Sequence, residues 1–271
     1  MELYIAGTLS RSYVYEKSME VFLAGEHPVK NGKDADWEGL NILETYYYLQ
    51  NNKEFPRLIG NFQNFLLDSG AFTFMSNAAK HGNIDWLSYV DRYCDFIIEN
   101  DIRLFFELDI DKIKGLEYVE MLRQRIEDRT HRKPIPVWHI GRGKDYYLQM
   151  IKEYPYVAIG GIAAKEMPTS KFEALFPYMI GIAHKNGCKV HGLGYTKVDN
   201  LRKYRFDSID STTWTVGGRF GEASKFENGS IKRLSFRDKG VKYKMVRDKE
   251  ALTLHNFKEW LKFQYYADKN L

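Results

Sequence analysis

Short apolar runs recur along the chain, and longer amphipathic stretches separate them. LYIAG (3–7) opens the series, followed by NFLLD (64–68), RLFFELD (103–109) and IPVWHI (135–140). YVAIGG (156–161), KVHGLG (189–194) and FDSID (206–210) complete it. Runs this short, with little polar alternation, suit strands buried on both faces. Residues 11–24, 38–51, 85–99, 115–128, 144–153, 168–186, 197–204 and 253–266 read as helices. Strands alternating with helices predict a parallel sheet covered by helices. Seven strands are direct readings, and an eighth is expected between 226 and 246 or within 25–62. The 271 residues fit one closed, TIM-like (β/α)8 barrel, a fold of about 250 residues. An open doubly wound sheet would want a GxGxxG turn after its first strand, and AGTLSRS (6–12) is not one. No repeat, low-complexity tract or Pro/Gly-rich linker divides the chain. Residues 1–221 are assigned to the α/β barrel as a single domain, and 222–271 to a basic segment that completes or flanks it.

Composition narrows the class. Hydrophobic residues at 44% and charged residues at 28% exclude a disordered chain and a disulfide-stapled mini-protein. Cys94 and Cys188 are the only cysteines and form no CxxC, so a Cys-rich zinc site is excluded. They read as reduced thiols of a cytoplasmic protein. No apolar run approaches the roughly 18 residues that span a bilayer. MELYIAGTLSRS (1–12) lacks the pattern of a signal peptide. The expectation is therefore a soluble cytoplasmic protein with no membrane contact. The net charge of +4 decides little until it is located. Lys and Arg outnumber Asp and Glu from Glu222 onward, so the tail carries the positive excess. Lys232, Arg233, Arg237, Lys239, Lys242, Lys244 and Arg247 are interleaved with Phe236 and Tyr243. That mixture suits a nucleic-acid backbone, and a solvated basic face is the alternative.

The chemistry gathers at the strand ends. In a barrel the C-terminal ends of all strands meet on one face. Those ends carry Asp68-Ser69-Gly70, Asp109, His139 to Gly143, Gly160-Gly161, Gly192-Leu193-Gly194 and Asp210. Any one Asp could be a helix cap. Three together with glycines between them predict a pocket. Glycine lets backbone approach a flat ligand and read its edge, and Phe72 and Leu193 are placed to cover its two faces. Two carboxylates can perform glycosidic chemistry, one attacking the anomeric carbon and one moving a proton. A third can accept from the N1–H and amine of a purine.

Four motifs in order resemble the tRNA-guanine transglycosylase superfamily. LLDSGAFTFMS (66–76) is similar to TDSGGFQVFS, and YVAIGGIAAKE (156–166) to YAIGGLAVGE. HGLGYTKVDNL (191–201) resembles HLLGVGTPEDL, and RFDSIDSTTWTVGGRFG (205–221) aligns without a gap on GVDMFDCVMPTRNARNG. The resemblance covers about residue 60 to 221. It implies Asp210 as nucleophile, Asp207 as the less critical Asp before it, and Asp68 as general acid/base. It implies a base slot formed by Ser69, Gly70, Phe72, Asp109, Gly160, Gly161, Ile162, Leu193 and Gly194. His139 stands where the family has a base-contacting Gln, and Arg219 matches an Arg in the loop after the nucleophile. The Cys-rich zinc subdomain of the tRNA enzymes is missing, and Trp214 to Val216 replace the PTR segment. These departures resemble the DpdA-type 7-deazaguanine DNA transglycosylases, especially the compact phage kind, whose setting would be the host cytoplasm. The implied activity is replacement of guanine in DNA by a free 7-deazaguanine such as preQ0, with no cofactor and no metal. Oligomeric state, including a homodimer, is left open. The same chemistry on tRNA is the alternative. A metal-dependent hydrolase using His139, His191, Asp68 and Asp210, and a non-catalytic nucleic-acid-binding barrel, are the remaining rivals.

Overall fold

The structure, a computed structural model, describes residues 1–9, 40–76, 84–195, 197, 200–215, 221–235 and 249–271. The predicted helix at 11–24, and Arg219, Arg237, Lys239, Lys242, Lys244 and Arg247, lie outside the described residues.

Eight strands form one parallel sheet. They are β1 (Glu2–Ala6), β2 (Asn41–Thr45), β3 (Asn64–Asp68), β4 (Leu104–Phe105), β5 (Val137–Trp138), β6 (Tyr156–Ile159), β7 (Lys189–Gly192) and β8 (Ser208–Ser211). The order across the sheet is β4-β3-β2-β1-β8-β7-β6-β5. The sheet is curled, and helices flank it. Its two outer strands meet at one parallel bridge, Phe106 to Ile135. There Ile135 N donates to Phe105 O at 2.8 Å and Glu107 N to Ile135 O at 3.1 Å.

Helices occupy the connections as the alternation predicts. They are α1 (Tyr46–Leu49), α2 (Ala71–Ser76), α3 (Trp86–Glu99), α4 (Asp111–Lys114), α5 (Leu116–Thr130), α6 (Gly143–Glu153), α7 (Thr169–Lys185), α8 (Leu201–Tyr204) and α9 (Lys249–Asn270). Helix α3 shows why such a segment is helical. Asp85 caps its first turn by accepting from Ser88 N at 3.1 Å. Trp86, Tyr89, Val90, Tyr93, Cys94 and Ile97 then form one buried stripe three and four residues apart.

One expectation needs correction. Residues 38–51 do not form one helix. Asn41–Thr45 is the eighth strand, and only Tyr46–Leu49 is helical. Apolar Ile42 and Leu43 satisfy either period, and pairing with β1 on one side and β3 on the other decides it. Of the two places expected for the eighth strand, 25–62 therefore holds it, and the described residues after 226 add no strand to the main sheet. Residues Glu222–Glu227 (β9) and Ser230–Ser235 (β10) form a separate antiparallel hairpin. Its two-residue turn, Asn228-Gly229, has both φ angles positive (53° and 75°), the conformation that Asn-Gly favours.

The hairpin leans on α9 through Ser224 N to Asn256 Oδ1 (2.6 Å) and Phe226 N to Glu259 Oε2 (2.7 Å). Helix α9 itself lies along the first strands. Phe257 packs its ring 5.0 Å from that of Trp214, whose Nε1 donates to Ala6 O at 2.8 Å. Further along α9, Gln264 Nε2 donates to Leu3 O (2.7 Å) and Asn41 O (2.8 Å). Gln264→Leu keeps the volume and removes the donor. A loss of about 1–3 kcal/mol in unfolding free energy, read by urea denaturation, is the expected result.

Period-two alternation splits the apolar side chains into two layers. Leu3, Ile5, Ile42, Phe65, Leu67, Val157 and Ile209 join the large core beneath the helices. Tyr4, Ala6, Leu43, Leu66, Phe106, Ile135, Val137 and Ala158 form a smaller cluster on the concave face. Helix packing thus fixes which side chains the strands deliver inward.

Candidate active site

The inward register runs on past the small core into polar residues. Two positions beyond Leu66 is Asp68, two beyond Val137 is His139, and two beyond Ala158 is Gly160. On β7 and β8, Val190 and Ile209 pack outward. Their neighbours His191, Ser208 and Asp210 therefore face inward. Asp109 follows β4 on the loop that leads into α4. Asp68, Asp109 and Asp210 are thereby brought to one end of the sheet.

Their environments differ. Asp68 accepts from Gly70 N at 3.3 Å. Burial, then the charges of Asp109 and Asp210, push its carboxyl up to about 7 despite a Thr45 hydrogen bond. It is half-buried and therefore reachable. Asp210 receives two hydrogen bonds on the same oxygen. Gly194 N donates to Oδ1 at 2.6 Å, and His191 Nε2 faces Oδ1 at 3.2 Å. Asp68 is thus set up to carry a proton near neutral pH, while Asp210 is held in place through one oxygen.

Asp109 is held by His139. Nε2 of His139 meets Asp109 Oδ2 at 2.9 Å, and Nδ1 meets Glu166 Oε1 at 2.9 Å. Lys112 Nζ reaches the same Glu166 oxygen at 2.6 Å. An ionised carboxylate only accepts hydrogen bonds, so both ring nitrogens carry protons and His139 is a cation. Burial opposes that charge, but Asp109 and Glu166 outweigh it and push the imidazole up to about 9. Burial likewise works against the Glu166 anion, yet His139 and Lys112 hold its carboxyl down at about 2. Burial keeps the Asp109 carboxyl above its ordinary range, with His139 pulling it down.

The glycine pair that follows β6 makes room for this cluster. A Cβ on Gly160 would stand 2.6 Å from Val137 Cγ1 and 2.9 Å from His139 Cε1. One on Gly161, whose φ is +79°, would stand 2.3 Å from Glu166 Oε2. The space these residues leave open is therefore taken by His139 and Glu166 as well as being available for backbone contact with a ligand. Behind them Glu107, fully buried, accepts from Arg142 Nη1 (2.7 Å), Arg123 Nη1 (3.0 Å) and Val137 N (2.8 Å). It braces the segment that carries Asp109.

The remaining candidates are placed as follows. Ser69 is buried, its carbonyl accepts from Tyr89 Oη at 2.6 Å, and its own Oγ has no partner among the described residues. Gly70 adopts φ +94° against Tyr47. Phe72 is 53% exposed, free to meet a ligand from solvent. Ile162 is buried, and Leu193 packs partly buried against the concave cluster. Asp207 lies apart, receiving Val190 N (2.7 Å) and His184 Nε2 (2.8 Å), and ties β7 to the start of β8. Of the basic residues described, Lys232 pairs with Glu227 at 2.7 Å and Arg233 lies exposed on β10.

Several partners were not anticipated from the sequence. Glu166 ends the YVAIGGIAAKE motif, and Lys112 lies on α4. The sequence offers His191 as a metal ligand, whereas its two nitrogens face Asp210 and Ser208. Glu44, buried at the end of β2, accepts from Thr8 Oγ1 (2.5 Å) and Leu9 N (2.8 Å), and burial pushes its carboxyl up to about 7. Among the described residues no group of three or more His, Cys, Asp or Glu is arranged to hold a metal ion. No helix among them is long and apolar enough to cross a membrane. No protein-family model matches the chain, and no curated protein matches it.

Proposed function

We propose that the curled sheet closes through the Phe106–Ile135 bridge into a (β/α)8 barrel, and that the chain is a base-exchange enzyme. It replaces guanine in DNA with a free 7-deazaguanine, preQ0 or a relative. The observation that carries this reading is the pair of differently placed carboxylates, Asp68 pushed up to about 7 by burial and its acidic neighbours, and Asp210 held through Oδ1 by Gly194 N and His191.

Asp210 attacks C1′ of the target nucleotide. The C1′–N9 bond breaks, its electron pair leaves with guanine, and Asp68 gives guanine a proton. The sugar remains bonded to Asp210. Guanine departs, a 7-deazaguanine enters the same slot, Asp68 takes its N9 proton, and N9 displaces Asp210 from C1′. Two inversions give net retention. Asp109, anchored by His139, accepts from the N1–H and amine of the base, with Phe72 and Leu193 against its faces. The target nucleotide must leave the stack or arrive single-stranded. Arg233, Lys232 and the further basic residues of the tail, with Arg219, hold the backbone. DNA is favoured over tRNA because the chain has no Cys-rich zinc segment after Asp210.

The geometry disfavours a metal hydrolase. Both nitrogens of His139 face carboxylates, and those of His191 face Asp210 and Ser208, so neither ring offers a free lone pair to a metal.

Labelled preQ0 offered to double-stranded DNA, single-stranded DNA and tRNA in parallel tests the reading. Label entering DNA is the expected outcome. Label entering tRNA alone moves the chain to the RNA enzymes, and no label in any polymer removes the proposal. The pH profile adds a second check. Asp68 must be protonated when guanine leaves, so single-turnover guanine release should be flat below about pH 7 and fall as pH rises above it. A profile that rises through pH 7 assigns the acid role to another group.

A further inference from the structure

A line of polar groups runs inward from Asp210, deeper than the exchange chemistry reaches. His191 is fully buried, with the ring of Tyr4 6.2 Å away and that of Phe106 5.3 Å away. Its Nε2 faces Asp210 Oδ1 at 3.2 Å, and its Nδ1 bonds Ser208 Oγ. Ser208 Oγ bonds the Tyr156 hydroxyl in turn. Ser208 is fully buried as well. We propose that Tyr156, Ser208 and His191 form a one-way hydrogen-bond chain. It fixes His191 as the neutral Nε2–H tautomer and makes it the positioning residue that holds Asp210 Oδ1 and presents Oδ2 to C1′. The positioning role rests on the reading of Asp210 as the nucleophile. The tautomer does not.

The direction follows from counting protons. Burial raises the Tyr156 phenol far above its ordinary range, so it keeps its proton. Ser208 is its hydrogen-bond partner among the described residues, so that proton points at Ser208 Oγ. Ser208 then turns its own proton to His191 Nδ1, which accepts. A ring that accepts at Nδ1 carries its one proton on Nε2, where the carboxylate of Asp210 receives it. A doubly protonated His191 would reverse the chain and turn the Tyr156 proton away from Ser208. His139 makes the contrast, since carboxylates at both its nitrogens demand the cation. A neutral donor behind Asp210 orients the carboxylate without neutralising it, as an attacking oxygen requires. With Gly194 N and His191 both on Oδ1, Oδ2 is the oxygen directed to the sugar.

The test uses the full chain with ¹⁵N-labelled histidine at pH 7, the His191 signals being identified by their absence in His191→Gln. The expected spectrum is that of a neutral ring protonated at Nε2, changed in Ser208→Ala because Nδ1 loses its donor. An imidazolium or an Nδ1–H ring overturns the chain. Kinetics test the positioning. Ser208→Ala should lower kcat about tenfold, the scale of a slightly misplaced reacting group, with KM for the incoming base within about twofold, in protein that circular dichroism shows to be folded at the assay temperature. Unchanged kcat, or a loss confined to KM, overturns the role. If Ser208→Ala fails to fold, Tyr156→Phe reports the same pair of readouts. If the native protein exchanges no base, the transglycosylase reading fails by itself, and the spectrum, which needs no substrate, still decides the chain.

Discussion

Asp210→Asn should exchange base at least about 10⁴-fold more slowly than the native chain, the loss seen when a member of a covalent catalytic unit is removed. The substitution keeps the shape of the side chain and its Oδ1 acceptor for Gly194 N and His191 Nε2. What disappears is the anionic oxygen that bonds to C1′. Because the fold contacts survive, the melting temperature should stay close to the native value. A rapid-quench search for protein-bound nucleotide should find the adduct in the native chain and none in the variant. Native-like exchange by Asp210→Asn would assign the attack to another residue or to water. Asp68→Asn should stall the same reaction and also stabilise the protein at pH 8. A carboxyl raised to about 7 in the folded chain and near its ordinary value when unfolded binds its proton more tightly in the native state. Stability from that group is therefore lost as pH rises toward 7, and the amide removes the loss.

The second large effect is on stability, at His139. His139→Phe leaves Asp109 and Glu166 facing an apolar ring, with only the 53%-exposed Lys112 still paired to Glu166. Breaking a buried ionic cluster by removing one partner costs about 3–5 kcal/mol, or roughly 10 °C in melting temperature for a domain of this size. The pH dependence has a definite sign. His139 is raised to about 9, so its contribution is complete below its unfolded value near 6.5 and is lost as pH rises through 9. Glu166 is lowered to about 2, so its share is present above about 4.5 and is lost as pH falls through 2. The gap between His139→Phe and the native chain should therefore be widest between about pH 4.5 and 6.5 and narrow toward pH 9. Calorimetry across that range measures it. A gap that widens with alkali would mean that the imidazole is neutral. His139→Gln, the residue of the resembled family, should lose less, because an amide still donates to Asp109.

The sequence makes the strand-end carboxylates visible for a local reason. Asp68, Asp109 and Asp210 each close an apolar run; strand parity carries Asp68 and Asp210 inward with Leu66 and Ser208 as guides, and Asp109 arrives from the loop after β4. Strand β2 is hidden because LNILETYYYL satisfies helical spacing as well as a buried strand, and only pairing with both neighbours separates the two. The hairpin is legible in the sequence, since ENGS between two alternating runs is a direct turn signal. The charge partners are a different matter. Asp109 and His139 are 30 residues apart, His139 and Glu166 are 27 apart, and His191 and Asp210 are 19 apart. No spacing rule links positions that meet only when separate strands lie side by side.

The row Lys112, Glu166, His139, Asp109 alternates in sign and sums to zero. Its members also share volume, since Glu166 and His139 occupy the space that Gly160 and Gly161 leave empty. Any one replacement at the three buried positions leaves an unmatched charge or an empty slot. Mutational paths from this cluster to the neutral amide of the resembled family must therefore cross a destabilised intermediate, unless Glu166 changes in the same step. In a pairwise deep mutational scan, substitutions at 139 and 166 should rescue one another. Lineages that carry the histidine should hold all four residues together or replace them together.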